Sequence, residues 1–207
     1  MAKFFSSTFG KISGKHGTAV AATVKGVSIL KVFTPPANPN SLGQKTQRLK
    51  FGMVTTALNP LRNIITVGFG SKDGFNQAVS IALRNAFLGN YPDFTINYSK
   101  VIVASGSLPQ SSSALVSAQQ DMNVLVNWDT TIWKNGTGLD DAQIAFLNAD
   151  TQMVIFVEAQ AKRQDGKFTA ILPASWKGET IHTWLFFTTT DGQQSSVSQY
   201  LGTIVPA

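Results

Sequence analysis

Apolar positions along this chain change period part-way through. Residues 18–33 (TAVAATVKGVSILKVF) are β-branched and apolar on either side of Lys25-Gly26, which predicts a hairpin with glycine in the turn. Before it, the small polar residues up to 16 read as an arm or a short first strand. After it, Pro35, Pro36 and Pro39 forbid both helix and sheet interior, so 35–40 is an extended connector. The period then becomes helical. Ser41 and Gln44 have capping-box spacing, and Phe51, Val54, Leu58, Leu61 and Ile65 recur three or four apart. Asn59-Pro60 interrupts this run as an N-cap with a first-turn proline, giving two helices or one kinked helix that Gly68 and Gly70 end. A third helix is expected over 76–88, stopped by Gly89. Residues 94–104 (FTINYSKVIVA) read as one strand or a pair.

Beyond the polar break at 105–113 the period is two. Met122, Val124, Val126 and Trp128 alternate, and strand-like runs follow at 143–147, 152–159, 167–172, 180–189 and 195–205. With a short strand at 114–118, this makes about seven strands separated by regular turns. The expected fold class is therefore mainly β (α+β). It has a basic N-terminal region over 1–110 (arm, hairpin, two or three helices) and an immunoglobulin-like β-sandwich over 111–207. The run 181–187 is apolar on both faces, as a strand buried between layers must be.

Charge sharpens the division. Residues 1–103 carry twelve Lys/Arg and two acids, a net of +10, whereas 104–207 carry five Lys/Arg and nine acids, a net of −4. No acid precedes Asp73. The candidate partner-binding residues are accordingly Lys11, Lys15, Lys25, Lys31, Lys45, Arg48, Lys50 and Arg62. The partners expected are other copies of the chain in a homo-oligomer or other proteins of an assembly, with nucleic acid as an alternative for the basic half.

Chemistry is sparse. There is no cysteine, which excludes disulfides, thiolate metal sites and a cysteine nucleophile, and only His16 and His182 are histidines. Gly10–Lys15 lacks the spacing and the Ser/Thr of a phosphate-binding loop, and Gly68–Gly74 lacks the βαβ setting of a dinucleotide fingerprint. His182 reads as a hydrogen-bonded structural residue, and Asp140-Asp141 as solvated loop acids. No cofactor, metal or enzymatic activity is expected. Trp133 or Trp176, if exposed, would suit a glycan-binding module. No run is long enough to span a membrane and no signal peptide is evident, so the expected location is a virion or the bacterial cytoplasm.

Several stretches carry a likeness: Gly10-Lys11, Gly14-Lys15 and Gly17; Pro36 and Asn40; Gln44, Gln47-Arg48 and Lys50-Phe51; Asn85-Ala86, Gly89–Phe94 and Asn97–Lys100; Ile181-His182, Phe186-Phe187, Asp191-Gly192, Ser195 and Ser198–Gly202. In these the chain resembles an uncharacterised domain-of-unknown-function family of about 200 residues from Bacteroidota. That resemblance implies no chemistry. The layout of basic arm, α/β piece and sandwich is also similar to phage virion structural proteins, which implies a non-enzymatic capsid-associated or tail component.

Overall fold

The structure is a computed structural model that describes residues 2–3, 13–35, 40–133 and 135–206. It is mostly β, with helices and several antiparallel sheets. The chain forms two compact units, residues 1–41 and 42–207.

In the first unit β1 (Ala2–Lys3), β2 (Gly14–His16), β3 (Ala19–Val24) and β4 (Val27–Val32) make one antiparallel sheet in the order β1-β4-β3-β2. The β3–β4 hairpin turns through Lys25 and Gly26, both at positive φ (50° and 79°). That mirror-image turn matches the right-handed twist of the strands it joins. Pro36 and Pro39 of the expected connector fall outside the described residues.

The second unit opens with α1 (Leu42–Leu58). A single 3-10 turn, Asn59–Leu61, leads into α2 (Arg62–Phe69), and α3 (Gly74–Asn85) follows. Pro60 bends the path as its missing N–H requires, but Asn59 caps nothing: neither the turn nor α2 has a side-chain cap bond. Gly68 does not end α2. It is buried within it, because an added Cβ would lie 2.4 Å from the Val103 carbonyl oxygen. Gly70, left-handed at φ 59°, is the true C-cap. Helix α3 stops at Asn85, and β5 (Phe87–Leu88) and β6 (Thr95–Ile96) pair as a miniature hairpin.

The stretch expected as strand over 94–104 is mostly not strand. After β6 it makes a 3-10 turn at Tyr98–Lys100, then runs extended through Val101, Val103 and Ala104, all buried. Its backbone is satisfied piecemeal. Trp184 Nε1 donates to the Val101 carbonyl (3.1 Å), Ser198 Oγ accepts from the Val103 N–H (3.0 Å), and Ser198 N donates to the Ala104 carbonyl (3.0 Å).

Seven further strands follow: β7 (Ala114–Ala118), β8 (Asn123–Trp128), β9 (Asp141–Asn148), β10 (Met153–Lys162), β11 (Lys167–Ile171), β12 (Ile181–Thr188) and β13 (Gln199–Ile204). They form a four-stranded sheet, β10-β9-β12-β13, and a three-stranded sheet, β11-β8-β7. Every residue of β9 is buried, and all of β12 except His182. Alternation along these two strands explains this. Ala145, Leu147, Trp184 and Phe186 join a core with α1, α2 and α3. Ala142, Ile144, Phe146, Leu185 and Phe187 join a second core with Val124, Val126 and Trp128 of the three-stranded sheet. The four-stranded sheet is thus covered on one face by helices and on the other by strands.

The pairing of β10 with β9 shifts register between Val157 and Ala161, with Ala159 at φ 53°. The buried Gln143 side chain bridges this bulge, accepting from the Ala159 N–H (3.3 Å) and donating to Thr188 Oγ1 (2.9 Å).

Candidate functional site

The sequence-predicted cations fall into two groups. Lys11 lies outside the described residues. Lys15 sits on β2, Lys31 on β4 and Lys25 in the hairpin turn. Register places side chains by face. Lys15 pairs with Val20, Val20 with Lys31, Ala22 with Ile29, Val24 with Val27, and the Phe33 N–H donates to the Thr18 carbonyl. One face of the sheet therefore presents Lys15, Val20, Val24, Val27, Ile29, Lys31 and Phe33 together. The Lys15 ammonium lies 4.1 Å from the Phe33 ring centre. Among the described residues of this unit only Ala21 is a buried hydrophobic, while Val24, Val27, Val32 and Phe33 are exposed.

The second group belongs to the helices. Lys45, Arg48 and Lys50 are on α1, and Arg62 begins α2. They do not form one patch of bare charge. The Lys50 ammonium sits over the Phe87 and Phe94 rings (5.1 and 4.5 Å), and the Arg62 guanidinium stacks 3.8 Å from Phe75. Arg48 lines a cavity with Leu49, Met53, Thr56, Ile96 and Gln152. Phe51, expected in the apolar stripe of α1, is exposed, because only the last part of the helix, from Val54 to Leu58, faces the core.

Other sequence candidates are relocated. Asp140 and Asp141 are buried rather than solvated. Arg163, fully buried, bonds through Nε to Asp140 Oδ2 (3.1 Å) and through Nη2 to the Pro109 carbonyl (2.8 Å), and stacks 3.8 Å from the Phe187 ring. Trp128 Nε1 donates to the Arg163 carbonyl (2.8 Å), and Thr137 Oγ1 to Asp140 Oδ1 (2.7 Å). Burial holds the Arg163 pKa below its ordinary value, opposed by the Asp140 charge. Asp141 pairs with Lys162. No local spacing announces these pairs, since their partners lie more than twenty residues away.

His182 is half-buried. Its Nδ1 lies 2.8 Å from Tyr200 Oη, and its ring stacks on Tyr98 with centroids 4.4 Å apart. Desolvation lowers the His182 pKa, partly countered by Asp150, and burial raises those of Tyr98 and Tyr200. Burial among these rings thus favours the neutral form of the imidazole. Trp133 is 60% exposed and Trp176 is buried.

Among the described residues no cluster of three or more His, Asp or Glu side chains could hold a metal, and no helix is long and apolar enough to cross a membrane. A search of the curated proteins finds no match. Residues 11–202, nearly the whole chain, match the model described as Family of unknown function (DUF6266), and the chain belongs to that family.

Proposed function

We propose that this chain is a non-enzymatic assembly protein that acts through contacts with other copies of itself or with neighbouring proteins. One observation carries the reading. The sheet of the first unit presents valines, an isoleucine, Phe33 and lysines on one face, with no second layer among the unit's described residues. An apolar sheet face is stable when something packs on it. The acid-rich residues 104–207 of another copy, net −4, complement residues 1–41, which carry five lysines and no acid. Such a head-to-tail contact makes rings when it closes and filaments when it does not. A phage virion component of Bacteroidota hosts, capsid-associated or in the tail, fits this behaviour, with the virion or the bacterial cytoplasm as its location.

We read the two sheets of the second unit as an immunoglobulin-like sandwich, a plan in keeping with a structural role. With the seven strands β7 to β13 lettered A to G, the two sheets are A-B-E and D-C-F-G. This differs from the constant-type order only in strand D, which pairs with C rather than E.

Light scattering on a sizing column at low and high salt, with negative-stain images of the same fractions, tests the proposal. Multimers that loosen in salt and are lost in a Lys15→Glu/Lys31→Glu variant are expected. A monomer at every salt concentration overturns it.

A second reading is nucleic-acid binding by the basic half, favoured by Lys15, Lys31 and an aromatic ring on one face. It requires affinity that falls steeply with salt and is lost on charge reversal at Lys15 and Lys31 together with Lys45, Arg48 and Lys50. A third, a glycan-binding module, keeps its motive in exposed Trp133 alone.

A further inference from the structure

The second unit contains a cavity of about 560 Å³ beside the C-terminal end of α3, lined by Arg84, Asn85, Ser99, Lys100, Ser198 and Tyr200, with Val101 and Ile102 at its wall. We infer that it binds a small hydroxyl-bearing anion, whose phosphate or carboxylate group is held by Arg84 and Lys100. The lining contains two cations and no acid.

The groups are set by bonds already made. Arg84 is folded back along its own helix, Nε donating to the Ser80 carbonyl (3.1 Å) and Nη2 to Ser80 Oγ (3.4 Å), so it borders both this cavity and the neighbouring groove lined by Asp73, Asn76, Gln77 and Ser80. Ser198 Oγ spends a lone pair on the Val103 N–H (3.0 Å), and its own hydrogen remains available to donate to a ligand. Ser99 is fixed through Asn97 Oδ1, which accepts from both its N–H and its Oγ (3.1 and 2.6 Å). Tyr200 is held at its hydroxyl by His182, so its ring is a fixed apolar surface for the carbon face of a sugar. The volume is in the range of small-molecule sites. Stretches singled out in the sequence (85–86, 97–100, 181–182 and 198–202) contribute to this cavity or to the His182–Tyr200 bond.

The shared ligand chemistry is an oxyanion on a polyol, so the experiment separates its two sources. The full chain is titrated by calorimetry at low salt with glucose 6-phosphate, glucuronate and glucose. One anionic sugar is expected to bind at least about tenfold more tightly than glucose, and Arg84→Gln or Lys100→Gln to weaken it by about tenfold each, the worth of a charge-assisted contact. Ser198→Ala separates this cavity from general charge attraction, because it weakens binding without changing net charge. Lys45→Gln, outside the cavity, leaves affinity unchanged. The phosphate or the carboxylate compound binding better identifies the source. The inference is overturned if neither anionic sugar binds below about 10 mM, or if Lys45→Gln weakens binding as much as Arg84→Gln. It does not depend on the assembly reading, since a monomer can be titrated equally well.

Discussion

Two four-stranded antiparallel sheets in this protein differ in what covers them. In β10-β9-β12-β13 the two central strands are buried almost throughout, by helices on one face and a second sheet on the other. In β1-β4-β3-β2 the residues of β2, β3 and β4 are half-buried or exposed except for Ala21, although β3 and β4 hold five valines and isoleucines against two in β9 and β12. Strand composition alone therefore does not tell a core from a surface; the elements packed against the strands do. The sheet β10-β9-β12-β13 is packed on both faces, whereas β1-β4-β3-β2 leaves Val24, Val27, Val32 and Phe33 exposed.

Truncation exposes this contrast most sharply. Phe146→Ala, in the doubly covered sheet, should cost about 3–5 kcal/mol, while Val24→Ala should stay within about 0.5 kcal/mol for the monomer. Urea unfolding of both variants measures the gap, and equal losses would show that the N-terminal sheet is also part of a core. Removing one member of the buried ion pair should do similar damage: Asp140→Ala leaves the Arg163 charge uncompensated, at a cost of about 3–5 kcal/mol. The double variant Asp140→Ala/Arg163→Met should recover part of that loss in the same urea titration.

Gly68→Ala tests the packing of α2 on the extended 101–104 segment. The new methyl meets backbone on that segment, so a loss of about 1–3 kcal/mol is expected in thermal or urea unfolding, and no loss would mean that the segment yields easily. Acidification acts through His182. Its folded pKa lies below the ordinary 6.5, so below about pH 6.5 the unfolded chain takes up a proton that the folded chain resists. This contribution is fully present above that pH and is lost as pH falls toward the folded pKa. His182→Gln should flatten the stability profile in that window; an unaltered slope would rule His182 out as its source. The smallest effect is expected in the hairpin. Lys25→Asn suits positive φ better than lysine and should raise monomer stability by a few tenths of a kcal/mol, with no change in the second unit's hydrogen exchange.

Much of the β architecture was legible because alternation is a local signal. Met122, Val124, Val126 and Trp128 face one core as their spacing required, and the turn glycines marked the strand ends. The double burial of Ile181–Phe187 was legible for the same reason, with His182 the exception. The failures are non-local. Residues 94–104 carry strand-like composition, but the bonds of Val101, Val103 and Ala104 go to Trp184 and Ser198, more than eighty residues away. Asp140-Asp141 looked solvated because Arg163 and Lys162 are invisible from a local window. The basic residues were found, but not the rings that Lys15, Lys50 and Arg62 lie against.

The uneven placement of the tryptophans has an optical consequence. Trp128, Trp176 and Trp184 are buried, and Trp133 alone stands well out in solvent. Intrinsic fluorescence should therefore divide into a blue-shifted majority shielded from acrylamide and one red-shifted, readily quenched emitter. That emitter reports on the loop between β8 and β9 without any label. If its colour shifts when copies associate or a glycan is added, the loop is at the contact; if it stays quenchable, the contact lies elsewhere.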